Sequence, residues 1–443
     1  MKQPITKVNT EINFEIPLAK QGEIKITDYI LESLDKVAKA ENFQDYEIEV
    51  DHGSSIGDGF VGLLIKATIK DKVNSENVLN LILKVPPENE ARRQQMMAMD
   101  LFQREIYVYN VLLPEFVELQ KERNISIDAG FYNFPKVYFA EFNKELNDAI
   151  IIMEDLRDSG HRMWDKQKPI NYEHSKVFLT TLGRYHALSF AMKKLKPEKF
   201  EKFKELDDFM TGKRESFNQS FIDYLQSRVT KAAELLDPDD VEKKEKLKNL
   251  TENLYENLKF CLQPEEAEPF TVVTHGDCWF NNFVYHYKKK DLPDNIVLID
   301  WQVSRYCSPV IDIVYFLLMC TDHELRQKHF DELLNIYHNS LKELLEKLGG
   351  DIFMQFPFTA LLRHLKKFGK LGLITSSMAI PMFFTNKEDM VDMDFMAEQL
   401  KNLNLDEIES LMKAYLERIS KSNERVDKRI KEVVIDCFHY GYL

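Results

Sequence analysis

Cysteine is scarce in this chain and unpatterned. The five residues (Cys261, Cys278, Cys307, Cys320 and Cys437) are odd in number and show no C-x-x-C spacing, so a reduced, cytosolic protein is the expectation. An excess of basic charge is also missing. Lys and Arg number 59 against 73 Asp and Glu, a net charge of −14, which removes the case for a nucleic-acid or anionic-membrane partner acting on the whole surface. Long apolar runs are lacking too. The most apolar stretch, Leu371 to Phe384, is too short to span a bilayer and contains Thr, Ser and Pro. Residues 1–16 hold no apolar core of a signal peptide. No internal repeat or low-complexity tract is present.

What is there suits a large soluble globular protein. The 443 residues are 44% hydrophobic and 12% aromatic, enough for a sizeable core and for a division into lobes. Charged residues make up 30% and are mixed in sign. Against this acidic background a polyanionic ligand needs local cations, namely a metal and a placed lysine.

The first third reads as strands with one helix inserted. Residues 24–41 carry Ile30, Leu31, Leu34, Val37 and Ala38 at helical spacing. Tyr46 to Val50 reads as a strand. Leu63 to Lys70 reads as another, with Leu63, Ile65, Ala67 and Ile69 on one face. Between them, Gly57-x-Gly59-x-x-Gly62 matches a phosphate loop. A strand follows the last glycine, not the helix of a dinucleotide fold, which favours the type that covers ATP phosphates. Alone, the match is equally a glycine-containing hairpin. Val78 to Val85 is a third strand and carries Lys84 near its end. A long helix is expected over Glu90 to Leu113, with Met97, Leu101, Val108 and Leu112 on one face and Glu105 within the same arc of about 80°. A carboxylate on an apolar face is costly unless paired, and Lys84 is the natural partner. Two more strands, Phe134 to Phe142 and Ala149 to Met153, lead to Glu154-Asp155-Leu156, where an extended segment can offer its backbone to an adenine edge.

The stretch with most chemistry is His275-Gly276-Asp277-Cys278-Trp279-Phe280-Asn281-Asn282, followed by Ile299-Asp300-Trp301-Gln302. Apolar runs 283–287 and 296–299 flank a polar connection holding Pro293 and Asp294, which reads as a hairpin. With its midpoint near Leu292, residue 283 falls opposite 300, and Asn282 and Asp300 share the open end. Their oxygens are hard donors suited to Mg²⁺ carrying phosphates, and Asp277, just outside that pair, is placed to take a proton from an alcohol.

Beyond Asp300 the chain runs to Ser308-Pro309, which opens a helix. Asp312, in its first turn, either caps locally or braces the catalytic-loop backbone. Only eleven residues separate Asp300 from Asp312. A polypeptide kinase needs a long activation segment there, so a small-molecule acceptor is expected. His186, on a helix with Phe178, Leu182 and Tyr185, reads as a packed or capping histidine. Residues 353–396 are rich in Phe and Met and read as ordinary core or as an adaptable apolar pocket.

Together these motifs resemble the arthropod ecdysteroid-kinase-like family, within the choline kinase and aminoglycoside phosphotransferase superfamily. The most specific pieces are His-Gly-Asp-Cys-Trp-x-x-Asn and Ile-Asp-Trp-Gln. The resemblance implies an α+β, two-lobed protein-kinase-like fold. Its small antiparallel-sheet lobe with one long helix would span residues 1–155, and its large, mainly helical lobe 156–443. It implies ATP and Mg²⁺ as cofactors and phosphoryl transfer to the hydroxyl of a small molecule, with ecdysteroids as founding acceptors. Asp277 would then be the catalytic base, Asn282 and Asp300 the metal-holding pair, and His275 a structural member of the loop. Lys84 and Glu105 would position the phosphates under Gly57, Gly59 and Gly62, with Glu154, Asp155 and Leu156 as the hinge. Rival readings are a catalytically silent nucleotide- or ligand-binding protein, a kinase for a choline- or aminoglycoside-like acceptor, and a metal-dependent phosphohydrolase using His275 and Asp277.

Overall fold

The structure, a computed structural model, describes residues 25–53, 62–74, 76–208, 211, 219–384, 392–402, 411, 414, 418 and 423–443. Gly57 and Gly59 lie outside these residues.

The N-terminal part is a five-stranded antiparallel sheet, ordered β1-β2-β3-β5-β4. Its strands are β1 (Tyr46–His52), β2 (Leu63–Asp71), β3 (Val78–Val85), β4 (Val137–Asn143) and β5 (Asp148–Glu154). The alternation expected for β2 holds for Ile65, Ala67 and Ile69, all buried, while Leu63 at the strand start is exposed. Helix α1 (Asp28–Ala40) begins where Thr27 Oγ1 accepts from Ile30 N at 3.3 Å. Its stripe of Ile30, Leu34, Val37 and Ala38 covers one face of the sheet. Strand β5 is buried on both sides. Ile150 and Ile152 join the α1 core, whereas Ala149, Ile151 and Met153 join the larger core of the molecule, as the two-residue period of a strand requires.

The single long helix expected over Glu90 to Leu113 is instead a broken series. α2 (Glu90–Gln95) stops at Met96, and Met97 takes a left-handed φ of +49°. α3 (Ala98–Tyr107) then runs into a π-helical segment, Val108–Leu112, before α4 (Leu113–Glu122). The break re-aims α3, and Glu105 on it is 1% exposed.

The C-terminal part is mainly helical. A short strand β6 (Arg162–Met163) precedes α5 (Tyr172–Leu195), α6 (Pro197–Glu201), α7 (Gln219–Glu234), α8 (Val241–Glu252) and α9 (Leu254–Leu262). Strands β7 (Val272–Thr274), β8 (Phe283–Lys289), β9 (Leu292–Leu298) and β10 (Arg305–Cys307) follow. The series ends with α10 (Val310–Cys320), α11 (His323–Lys347), α12 (Ile352–Gln355), α13 (Phe358–Phe368), α14 (Lys370–Phe383), α15 (Met393–Asn402) and a final helix, Glu424–His439. From Phe178 to Met192, α5 is buried almost all round, the mark of a central helix. The Phe- and Met-rich tract divides: Phe356, Phe383 and Met396 are core, whereas Phe353 and Met354 are exposed.

The β8–β9 hairpin forms, but its register differs from the expected one. Phe283 pairs with Leu298, not with residue 300, because the chain turns at Lys290-Asp291, ahead of the midpoint expected near Leu292; the ladder shifts at His286/Tyr287 and back again at Tyr287/Lys289. Pro293 sits in β9 opposite Tyr287 at one of these irregularities, where a missing N–H is tolerated. The turn itself is Lys290-Asp291, with Asp291 at φ +60°. All five cysteines are buried and unpaired. Burial pushes the thiols up, Cys261 and Cys307 to about 12 and Cys278 well above its ordinary value.

Gly183 on α5 faces the backbone of α11, where a Cβ would collide with Tyr337 O and lie 3.0 Å from Leu341 N. Glycine to alanine inside a helix ordinarily gains about 1 kcal/mol. Gly183→Ala is expected to lose stability instead, because overpacking costs about 1–3 kcal/mol. A denaturant midpoint above that of the native sequence would contradict this close approach.

Candidate active site

Three elements meet at Lys84. Its strand, β3, lies between β2 and β5, with Leu64 and Ile151 as its cross-strand neighbours. Lys84 Nζ is 2.6 Å from Glu105 Oε2 and 2.7 Å from Asp300 Oδ1. The Lys84 and Glu105 side chains are 9% and 1% exposed, and that of Asp300 is 26% exposed. The third partner therefore faces the open side. Burial works to discharge the ammonium, but Asp300 and Glu105 hold its pKa above the ordinary value. Burial also lifts the Glu105 carboxyl, against the pull of Lys84. Gly62 lies at the same corner. A Cβ there would be 3.1 Å from both Val85 O and Phe102 Cζ, and the Phe102 ring centroid is 5.7 Å from Lys84 Nζ.

Asp300 follows β9 in a left-handed conformation, φ +66°, which Asp tolerates better than most residues. Ile299 N donates to Asn282 O at 3.1 Å, so Asn282 and Asp300 do end at the same mouth of the hairpin despite the altered register. Asn282 Nδ2 donates to Asp277 Oδ2 at 2.9 Å and to Asp277 O at 3.0 Å. Both amide hydrogens point to Asp277, which leaves Asn282 Oδ1 as the atom suited to a cation.

Asp277 is held by three donors: Tyr315 OH on Oδ1 at 2.9 Å, and Asn282 Nδ2 and Trp279 Nε1 (3.1 Å) on Oδ2. Burial and then the charge of Asp300 push its pKa up to about 6, against those three hydrogen bonds. The Trp279 ring is partly exposed and stacks on Phe383 at 5.2 Å and 16°.

The loop carrying Asp277 is organised by a buried carboxylate. Asp312 accepts from His275 N at 2.8 Å, Gly276 N at 2.9 Å and His186 Nε2 at 3.1 Å. Of its two expected roles, bracing the loop is the one observed. Burial opposes its charge, yet His186 and the loop N–H groups hold its pKa below the ordinary range. His275 Nε2 donates to Ile299 O at 3.1 Å, its Nδ1 accepts from Asp277 N at 3.3 Å, and its ring lies 4.5 Å from Trp301. Burial pushes its pKa down. It is thus a neutral tie between the loop and the segment that delivers Asp300.

The segment 154–156 turns more than it extends. Glu154 Oε1 accepts from Lys136 N at 2.7 Å, and Asp155 is paired with Arg157 at 2.7 Å. Asp155 N donates to Asn80 O, and Leu156 O accepts from His161 N. Both acidic side chains are engaged, and so are the N–H groups of Glu154 and Asp155 and the carbonyls of Asp155 and Leu156. Sequence reasoning missed Tyr315, which lies one helical turn beyond Asp312 on α10, a spacing that could have flagged it. It also missed Arg104 and Arg305. Arg104 is adjacent to Glu105, and Arg305 stands in the otherwise apolar, buried strand β10. A cleft of about 350 Å³ lined by Ile222, Gln226, Asn253 and Tyr255 shares no residue with this site.

Among the described residues no group of three or more His, Cys, Asp or Glu could hold a metal, and no helix is long and apolar enough to cross a membrane. A cation at Asn282 and Asp300 would draw its other ligands from phosphates and water, as Mg²⁺ commonly does.

Gly276 has φ +87°, and a Cβ there would collide with Val303 O and approach Arg305 Nη2 at 3.1 Å. Gly276→Ala should therefore cost about 2 kcal/mol or more, read as a lower denaturant midpoint. Native-like stability would mean that the loop can relax.

No curated relative matches the chain. Residues 56–350, more than half of the chain, match the family described as the ecdysteroid kinase-like family. Lys84, Glu105, Asp277, Asn282 and Asp300 all fall within the match. By that match, and with a mixed fold of small antiparallel sheet and large helical region to accompany it, the chain belongs to the ecdysteroid kinase-like family of kinase-like phosphotransferases.

Proposed function

We propose that this chain transfers the terminal phosphate of ATP, with Mg²⁺, to a hydroxyl of an apolar small molecule such as an ecdysteroid or a similar steroid or xenobiotic alcohol. The observation that carries the reading is Lys84 braced by Glu105 and Asp300 at the same site as an oriented Asp277. Lys84 presents a fixed positive charge to the ATP phosphates, and Glu105 keeps it aimed. Asn282 Oδ1 and the Asp300 carboxylate would hold Mg²⁺, which when bound neutralises charge on the phosphate oxygens. Asp277 takes the proton from the acceptor hydroxyl as the oxygen attacks. Tyr315, Trp279 and Asn282 fix the plane of its carboxylate, so positioning supplies most of the catalysis.

The short stretch between Asp300 and Asp312 favours a small acceptor, and the partly exposed Trp279 beside the base favours an apolar one. The lobe division at residue 155, with backbone groups of 154–156 meeting the adenine edge, is part of the same proposal. Five unpaired, buried cysteines support a reducing, cytosolic setting.

The test is incubation with ATP, Mg²⁺ and a panel of ecdysteroids, plant phenolics, choline and aminoglycosides, with mass spectrometry for an added phosphate. A phosphorylated steroid or phenolic is expected, and Asp277→Asn should lower kcat by about 10²–10⁴. No product from any acceptor, with ATP binding intact, would replace the enzyme by a binding protein. Lys84→Met is expected to lower kcat/KM for ATP by tenfold or more, about 1.4 kcal/mol of transition-state stabilisation. A native value in that variant would remove Lys84 from phosphate positioning.

A further inference from the structure

Two arginines outside the proposed catalytic set each bind one member of an aspartate pair, Arg104 to Asp207 and Arg305 to Asp208. Arg104 precedes Glu105 on α3, and neighbouring helical side chains diverge by about 100°. While Glu105 points to Lys84, Arg104 points to the other part of the molecule. Its Nη1 donates to Ser304 O at 2.9 Å and to Asp207 O, and its Nη2 to Asp207 Oδ1 at 3.2 Å. Arg305 uses all three of its donor nitrogens. Nη1 reaches Asp208 Oδ2 at 2.6 Å, Nη2 reaches Gly276 O at 3.1 Å, and Nε reaches Val303 O at 3.1 Å. Thr211 covers Asp208 Oδ1 through its N at 2.8 Å and its Oγ1 at 3.0 Å. Tyr306 N donates to Leu206 O at 2.7 Å and ties the two segments by backbone.

We propose that Asp207 and Asp208 form a shared anchor coupling the helix that bears Glu105 to the loop that bears Asp277, which makes both aspartates positioning residues for the transfer. The inference rests on the phosphotransfer reading for its catalytic consequence and on geometry alone for the mechanical one. The Arg305 and Asp208 side chains are 5% and 3% exposed. A buried pair of this kind contributes little net stability but holds one geometry, and a planar guanidinium with three partners has little freedom to reorient. Gly276 O belongs to the peptide that leads directly into Asp277. The two guanidiniums are near enough to repel, since Arg305 depresses Arg104 after burial and the opposing Asp207. Asp207 and Asp208 are consecutive, and Arg104 also reaches the carbonyl of Ser304, the residue before Arg305, so a disturbance at either carboxylate reaches both sides.

Hydrogen exchange read by mass spectrometry on the full chain tests this, comparing the native sequence with Asp207→Asn and Asp208→Asn. Asp207→Asn, on the Arg104 side, should raise exchange in residues 275–278 at least threefold. Asp208→Asn, on the Arg305 side, should raise it in α3 at least threefold, with α1 unchanged in both. In turnover, coupling means that each variant both lowers kcat and raises KM for ATP, whereas two independent staples would give a kcat effect for Asp208→Asn alone and a KM effect for Asp207→Asn alone. If Asp208→Asn does not fold, the half-exposed Asp207→Asn carries both readouts. Exchange confined to each variant's own side, or left unchanged, overturns the coupling. If the native protein transfers no phosphate, the phosphotransfer reading fails, and the exchange data still judge the anchor.

Discussion

A buried ammonium cannot stand alone, and the site is built around that constraint. Lys84 comes from β3 inside the sheet, Glu105 from α3, and Asp300 from the turn after β9. All three must meet within 2.7 Å for the charge to be tolerated. The break at Met97 that re-aims α3, the two-sided burial of β5 and the left-handed turn at Asp300 belong to one arrangement. Each brings one of the three groups, or the strand beside it, to the same point.

The loop before Asp277 obeys a second constraint, that buried peptide groups need partners. Asp312 accepts from the N–H groups of His275 and Gly276, and Arg305 donates to Gly276 O. The Gly276 residue is thus gripped through its N–H by an anion and through its C=O by a cation. Both come from the segment after Asp300, so the loop and the proposed metal-binding residue are set by one stretch of chain. His186 and Tyr337 support the anion from two further helices.

Much of this was legible in the sequence because it is written locally. The apolar stripe on α3 exposed Glu105 as a misplaced carboxylate, and Lys84 stood one element away. Asp277, Asn282 and Asp300 were legible from the hairpin even though its register was not. The two irregularities around Tyr287 cancel, and the register differs because the turn falls at Lys290-Asp291, whereas a count to the midpoint puts it near Leu292. The break at Met97 was hidden because Met-Met-Ala reads as good helix. Arg305 with Asp208 was hidden for a different reason: the partners are far apart in the chain, and neither position has a local periodicity that marks its contact. Asp312 lay between, since its first-turn position fits a local cap as well as a remote brace.

The five buried thiols have a consequence for how the chain can be followed in solution. Thiolate is the reactive form, and burial keeps these groups protonated at neutral pH. A thiol reagent therefore has no target until some part of the fold opens. Cys261 reports on α9, Cys278 on the loop beside Asp277, Cys307 on β10, Cys320 on α10 and Cys437 on the final helix. The order in which they are alkylated is a ranking of local openings. The protein thus carries five native probes of which elements loosen first, with no residue added to it.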